Sequence, residues 1–420
     1  MRDLIKKFTN DKRFWAVLYV LTALLSLISV YEGIHNALLT SQDFQYDATC
    51  ALIHGYDPYD LSLDFKKEAV PDIAGLNEFY AYFESQGTPQ KMEANQFPSL
   101  LYILTPYALL PYAPARILWL ITNLLCTAVI IGLLKISFMR KVDDRLYPVF
   151  MMVMLAGTPW RNQLGVGQHT IFAVAFFLLA VFVAFEGDTT VIEYAGRNTA
   201  VDEGAAEKPK NKTLRMILSG LLLSLSYLKY TVTAPMAFYF IYKRKWKEFV
   251  ISLVPHIILT GVAAKVLNES FINMLIKPFK VASALTGEGS IDIGVLTGGA
   301  SWTVVITGII MLFVIAMAIL LPEGNDELFI STAVLLSLIM TYHRGYDFFI
   351  MIIVFGFFAT GYMKVAEIIF LITTVAIFFV NRIFNDNAIS LTVSGALYYA
   401  CVIAFVVIAA ERMFRREQRV

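Results

Sequence analysis

Four stretches of this 420-residue chain carry side chains whose types and spacing could do chemistry. Asp43 and Asp47 stand four residues apart with Tyr46 beside them. On a helix that spacing puts both carboxylates on one face, where a carboxylate could take the proton of a hydroxyl. The plainer reading, above all for Asp47, is an acidic loop that is simply soluble. Gly165-Val166-Gly167-Gln168-His169 allows a tight turn before a helix whose free N–H groups would suit an anion. The alternative is an ordinary helix-to-helix turn with His169 as a polar cap. Arg161 and Lys229 are single cations at the ends of apolar runs. Each could hold a phosphate, Arg as a bidentate fork and Lys as a point charge, or could snorkel to headgroups. His343-Arg344-Gly345-Tyr346-Asp347 packs three ionisable groups into one turn. That is either a phosphate clamp or an internal Arg344–Asp347 ion pair.

The elements that position these residues are apolar. The chain is 58% hydrophobic and 16% charged, against about 25% charged in soluble domains, and its mean hydropathy is +0.64. This excludes a disordered chain, a collagen, a disulfide scaffold and a nucleic-acid partner. The net charge of +1 identifies no partner. Cys50, Cys126 and Cys401 are too few and too scattered for a disulfide framework or a zinc site. Five histidines without an H-E-x-x-H argue against a bound metal, and no Walker loop, G-x-S-x-G or Rossmann fingerprint points to ATP or NAD. No cofactor is expected.

A helix needs about 20 apolar residues to cross a bilayer core of about 30 Å. The first run, Phe14 to about Gly33, follows five basic residues and reads as an uncleaved anchor, because it is long and no cleavage site follows. Further runs lie near 97–112, 115–137, 146–161, 168–186, 214–230, 231–242, 248–267, 299–321, 327–342, 346–362, 365–381 and 388–409. Lys and Arg collect on the cytoplasmic side. If 97–112 spans, the basic clusters at 135–145, 243–247 and 412–419 fall outside. If it lies along the outer surface, as Pro98, Pro106 and Pro111 favour, 23 of the 34 Lys and Arg fall inside. The expectation is therefore one all-α polytopic membrane domain over 1–420, with about twelve transmembrane helices and both termini cytoplasmic. Its first external loop, 34–113, holds interfacial helices, one of them read from Gln42 to Leu52. Segment 187–213 reads as a cytoplasmic linker, and 268–298, rich in Gly, Ser and Thr, as a second, mobile external loop. Asp43, Asp47, Arg161, Gln168, His169, Lys229, His343, Arg344 and Asp347 then share one surface.

With those residues laid out, the chain resembles glycosyltransferase family 87, membrane enzymes of the GT-C class. The likeness rests on four stretches. Asp43-Phe44-Gln45-Tyr46 is followed by Ala51-Leu52 and Gly55-Tyr56-Asp57-Pro58-Tyr59. Phe97-Pro98-Ser99-Leu100 leads through Pro106 and Pro111 to Trp119 and Asn123. Gly167-Gln168 opens an apolar helix. Gly220 leads through Leu228-Lys229 to the basic cluster with Trp246 at 243–247. The family often has Ser-Pro before its late His-bearing turn, where this chain has Thr341-Tyr342.

The resemblance implies an enzyme of a bacterial cell (inner) membrane that moves a sugar, mannose or arabinose at family level, from a polyprenyl-phosphate donor to a glycan or glycolipid acceptor on the outer face. Its catalytic acid lies in the first external loop and matches Asp43. The expected mechanism is inverting, without metal. Asp43 is the base, Arg161, Gln168, Lys229, His343 and Arg344 bind the donor phosphate, and Tyr46, Asp47, Tyr59, His169 and Asp347 contact substrate. A transporter or lipid-linked sugar flippase, or a polysaccharide ligase or polymerase, are the rival readings. The crowding of polar residues on one face favours the enzyme.

Overall fold

The computed structural model describes residues 11–40, 44–66, 75–87, 92–185, 211–285, 302–340, 343–358, 365–385 and 388–417. Among them every regular element is helical. The helices are α1 Lys12–Leu39, α2 Tyr46–Ile53, α3 Pro58–Lys66, α4 Leu76–Ser85, α5 Pro98–Ile103, α6 Thr105–Ala108, α7 Tyr112–Ser137, α8 Leu146–Ala156, α9 Thr158–Val166 and α10 Thr170–Phe185. They continue with α11 Lys212–Ser226, α12 Tyr230–Tyr242, α13 Trp246–Val266, α14 Phe271–Leu285, α15 Trp302–Leu320, α16 Asp326–Met340, α17 Phe355–Phe358, α18 Val365–Phe384 and α19 Ala388–Glu417. Two 3-10 turns, Tyr227–Lys229 and Gly345–Val354, join α11 to α12 and lead into α17. Among the described residues six helical runs are long and apolar enough to cross a membrane, or seven if the bent pair α9 and α10 counts as one. Leu146–Ala156, Val305–Leu320 and Gly345–Phe357 are shorter apolar helices. The chain is a multi-pass membrane protein.

One stripe of α1 is made of small residues, Thr22, Ser26, Ser29, Gly33 and Ala37, and it is buried. The rest of the helix exposes Leu21, Leu24, Leu27, Ile28 and Tyr31. Lipid tails are as apolar as these side chains, so small residues and polar bonds hold helices together in a bilayer. The stripe seats α8 and α9 alongside α1, running the same way. Tyr19 donates to the Arg145 carbonyl at 2.9 Å, Ser26 to Met152 at 2.7 Å and Ser29 to Ala156 at 2.8 Å. Further along, a Cβ on Gly165 would fall 2.9 Å from that of Asn36. The break between α8 and α9 at Gly157 (ψ 141°) precedes Pro159, and Ser29 takes a carbonyl at the freed end of α8.

The α9–α10 bend is 104°. α11 then packs antiparallel to α10, with Ser219 donating to the Ala180 carbonyl at 2.9 Å and Arg215 to Val183 at 3.0 Å. By composition Lys212–Tyr242 passes as one span, yet Phe240 sits against Phe177 and Phe185, at the same end of α10 that Arg215 reaches. The run is folded back at Tyr227–Lys229. Lys229 leaves helical geometry (φ −125°, ψ 65°), and the Thr233 hydroxyl takes up the carbonyls of Ser226 and Lys229 at 2.7 and 3.1 Å. At this basic end Lys141 meets Glu327 and Lys243 meets Asp326, each at 2.9 Å, across the start of α16. Acids at a helix N-terminus also complement its dipole.

The polar segments lie at the opposite end, and two readings of them change. The helix expected from Gln42 starts at Tyr46, because Gln45 is left-handed (φ 60°). Asp43 therefore precedes the helix and does not share its face with Asp47 at i, i+4; Asp43 itself lies outside the described residues. The 97–112 run folds as α5 and α6, each begun by a proline at its first or second position and each too short to cross. In 268–298 the portion Phe271–Leu285 is a helix rather than a mobile loop. The remainder of that segment, and 186–210 of the linker, lie outside the described residues.

α14 is tied to α3 by Lys277, whose ammonium meets Asp57, Asp60 and Glu269 at 2.5, 2.8 and 2.9 Å. Burial opposes the lysine's charge, but its hydrogen bonds to Asp57, Asp60 and Glu269 outweigh it, so its pKa is raised. The hydrogen bond from Lys277 holds Glu269 below the ordinary carboxylate range. A depressed carboxylate stabilises the folded form above its unfolded value and ceases to as pH falls through its folded value. Acidification below about pH 4 should therefore loosen α14 from α3, read as a longer and broader distance between spin labels placed on the two helices. Lys277→Met should be loose already at pH 7 and lose that pH dependence.

Gly356 tests the packing. A Cβ there would stand 2.2 Å from the Phe138 carbonyl oxygen, whereas one on Gly132 meets nothing within 4 Å. Gly356→Ala should cost about 1–3 kcal/mol or more, seen as a lower melting temperature in detergent. Gly132→Ala should melt like the parent.

Candidate active site

Three helix breaks meet around Asp347, which is 1% exposed. The first is the α9–α10 turn, closed by Gly167 in the left-handed region (φ 78°). The second is the 3-10 turn that ends in Lys229. The third is the start of Gly345–Val354, where the Asp347 side chain caps the Arg344 backbone N–H at 3.3 Å. A helix break frees backbone groups and lets polar side chains converge without disturbing the apolar faces.

Asp347 Oδ1 accepts from Gln163 Nε2 and Thr170 Oγ1, both at 3.0 Å, and lies 3.5 Å from Lys229 Nζ. Its Oδ2 is 3.1 Å from His343 Nδ1. His343 Nε2 stands 3.1 Å from the Ser337 carbonyl, so the ring bridges two acceptors. Lys229 also donates to Gln168 Oε1 at 3.3 Å. Its side chain is 13% exposed, so it is turned inward and does not snorkel. The arrangement places an ammonium, an imidazole and amide donors around one fixed carboxylate. It can present positive charge to an anion at the mouth of the bundle.

Next to it lies an aromatic stack. Trp119 Nε1 donates to the Gly167 carbonyl at 2.8 Å, and the Trp119 ring meets His169 with centroids 5.5 Å apart. Phe44 stacks on Trp119 with ring centroids 6.2 Å apart. The chain neighbour of Asp43 is thus packed beside the 165–169 turn.

Lys229, Gln168, His169, His343, Arg344 and Asp347 are therefore brought together as the sequence suggested. Asp347 enters as the residue that orients the others. Arg161 stands apart, on the face of α9 toward α1, where it pairs with Glu32 at 2.9 Å. Three residues expected to contact substrate are engaged elsewhere. Asp47 accepts from the backbone N–H of Ala48 and Met92 at 2.9 and 2.5 Å, clasping the segment before α5. The Tyr59 hydroxyl, fully buried, donates to Gln96 at 2.6 Å. The Tyr46 hydroxyl donates to Leu110 at 2.6 Å. All three serve as braces between loop helices. Sequence reasoning missed Gln163 and Thr170; a glutamine within an apolar run was the available signal. It also missed Glu32 and Arg382, whose partners are over a hundred residues away.

Residues 98–342 match the profile of glycosyltransferase family 87. The chain belongs to glycosyltransferase family 87. The match includes Arg161, Gln168, His169 and Lys229 and ends just before His343. No curated protein and no solved structure matches the chain. The protein is thus a multi-pass membrane glycosyltransferase with a polar cluster at one end of its helices.

Removing one partner of a buried ion pair leaves an uncompensated charge and costs about 3–5 kcal/mol, whereas replacing both with apolar residues is often neutral. Lys229→Met and Asp347→Leu should each melt well below the parent family 87 protein in detergent. The double variant should regain most of that loss. Additive losses in the double variant would mean that the two charges do not interact.

Proposed function

We propose that this enzyme moves a sugar, with inversion, from a polyprenyl-phosphate donor to an acceptor hydroxyl at the non-cytoplasmic face of the membrane. The observation that carries this reading is the position of the two flanks of Asp43. Asn36 of α1 packs on Gly165, and Phe44 packs on Trp119 beside Gly167. Both contacts fall on the α9–α10 turn that bears Gln168, and Phe44 is the residue next to Asp43 in the sequence. In this reading Asp43 acts as the base on the acceptor while the cations hold the donor phosphate.

In this scheme the acceptor oxygen attacks the anomeric carbon. Its proton goes to the Asp43 carboxylate, ionised at neutral pH. The bond from the anomeric carbon to the phosphate oxygen breaks, and polyprenyl phosphate leaves with the electron pair. Lys229, with Gln168, His343 and Arg344, stabilises the charge that builds on that phosphate. Fixed charges in a water-poor site act strongly on such a transition state. Asp347 is a positioning residue that holds Lys229 and His343 toward the site. His169 and Trp119 form the wall beside them, and Tyr46, Asp47 and Tyr59 act on substrate through the loop helices they brace. The scheme needs no metal or other cofactor.

The same reading has twelve crossings, with both termini in the cytoplasm of a bacterial inner membrane. It is supported by the parallel course of α1 with α8–α9, by the fold-back at Lys229, and by the gathering of Lys141, Lys243 and Arg145 at the end away from the site.

General-base action is typically worth about 10²–10⁴-fold. Asp43→Asn, reconstituted with a radiolabelled polyprenyl-phosphate sugar and membrane acceptors, should insert and fold like the parent and lose at least a hundredfold in transfer rate. Transfer at the parental rate would remove Asp43 as the base. Unchanged labelled lipid crossing the vesicle wall would make the protein a carrier instead.

A further inference from the structure

A second charged cluster lies on the other side of α9 from Asp347. Glu32 of α1 accepts from two guanidiniums through the same oxygen, Oε2. Arg161 Nη1 and Arg382 Nη2 are each 2.9 Å from it. Arg382 Nη2 also donates to Ser29 Oγ at 2.8 Å, and Arg161 Nε to Asn162 Oδ1 at 3.1 Å. One carboxylate thus serves two cations that sit on different helices, α9 and α18.

Two features separate this cluster from a closed structural ion pair. First, it has donors to spare. Each guanidinium carries five N–H groups, and among the described residues Arg382 Nη1 and Arg161 Nη2 make no hydrogen bond, while Arg382 Nε is buried and unpaired. Second, it is open. The side chains of Arg161, Arg382 and Glu32 are 22%, 26% and 33% exposed. Ile28 and Tyr31, near Glu32 on α1, and Ile383, next to Arg382 on α18, are exposed apolar side chains.

Depth and chemistry identify the ligand. Glu32 lies seven residues before the end of α1, about 10 Å by the rise of a helix. Arg382 is in the last turn of α18. That is the level at which a bilayer core gives way to headgroups, with apolar side chains below for acyl or isoprenoid chains. Paired guanidiniums with unspent N–H groups suit a phosphate, which they can grip bidentately. We propose that Arg161 and Arg382 form a binding site for a lipid-borne phosphate, and that Glu32 holds the two guanidiniums apart and competes with that phosphate. The site lies behind α9 and does not depend on the transfer reaction proposed above.

The test is binding to the purified full-length protein by native mass spectrometry in nonionic detergent. The probes are dioctanoyl phosphatidylglycerol, farnesyl phosphate and, as the phosphate-free control, dioctanoyl glycerol. At least one phosphate lipid should bind, and the control should not. Arg382→Gln and Arg161→Gln should each weaken that binding about tenfold, the worth of one charge-assisted hydrogen bond. Glu32→Gln should strengthen it about tenfold, because the competing carboxylate is gone. A cluster that merely braces the helices predicts the opposite sign for Glu32→Gln, or no effect. Sensitivity confined to phosphatidylglycerol assigns the site to bilayer phospholipid; sensitivity confined to farnesyl phosphate assigns it to the polyprenyl carrier. Where a variant does not fold, labelling of parental Arg161 and Arg382 by phenylglyoxal decides the matter. Protection by the phosphate lipid but not by dioctanoyl glycerol supports the site. Equal labelling in both, or identical binding of all three lipids by all variants, overturns it.

Discussion

The Asp347 carboxylate sits inside a bundle of apolar helices, and an ionised group taken out of water is stable only if it is answered on nearly every lone pair. The answer comes from elements far apart in the chain: Gln163 and Thr170 on either side of the α9–α10 turn, Lys229 at the α11–α12 turn and His343 just ahead of Asp347 itself. Each of these elements must end where it does for the contacts to form. The helix breaks are therefore consequences of the site as much as of local chain chemistry. The long stretches of Leu, Ile, Val and Phe between them can vary in packing without moving the charges.

The same logic explains the division of labour between the two ends of the molecule. At the basic end, cations meet acids at helix starts, as Lys243 meets Asp326, and these pairs close the bundle. At the other end the loop helices are braced to each other by Tyr46, Asp47, Tyr59 and Lys277. The transfer proposed for this enzyme takes a phosphate-linked donor from the membrane to an acceptor in water. A charged cluster at the end of apolar helices, under a cover of short helices, is suited to that passage. The guanidinium pair around Glu32 lies on the other side of α9 from that cluster.

Much of this was readable in the residues. The apolar runs located the helices, the proline spacing in 97–112 broke that run into pieces too short to cross, and Gly167 marked the turn. These are local properties: hydrophobic length, a missing N–H or a tolerated positive φ acts over a few residues wherever they occur. The family, too, was recognisable from Gly167-Gln168, Lys229 and their order in the chain. Some local readings still failed for local reasons. The helix expected from Gln42 begins only after the left-handed Gln45, and 268–298 hides an amphipathic helix behind a Gly- and Ser-rich composition.

By itself the sequence determined that this chain lives in a bilayer, where it turns, and which polar residues stand at the turns. It did not determine which of them are partners. Lys229 and Arg161 look alike as lone cations at helix ends, yet one joins Asp347 and the other Glu32, because α9 presents Gln163 to one side and Arg161 to the other. Asp47 and Tyr59 look like substrate ligands from their types alone, while in the structure they bond to the backbone of Met92 and Gln96, dozens of residues away. Pairing of charges is a matter of distance in three dimensions, and only the packing of helices sets that distance.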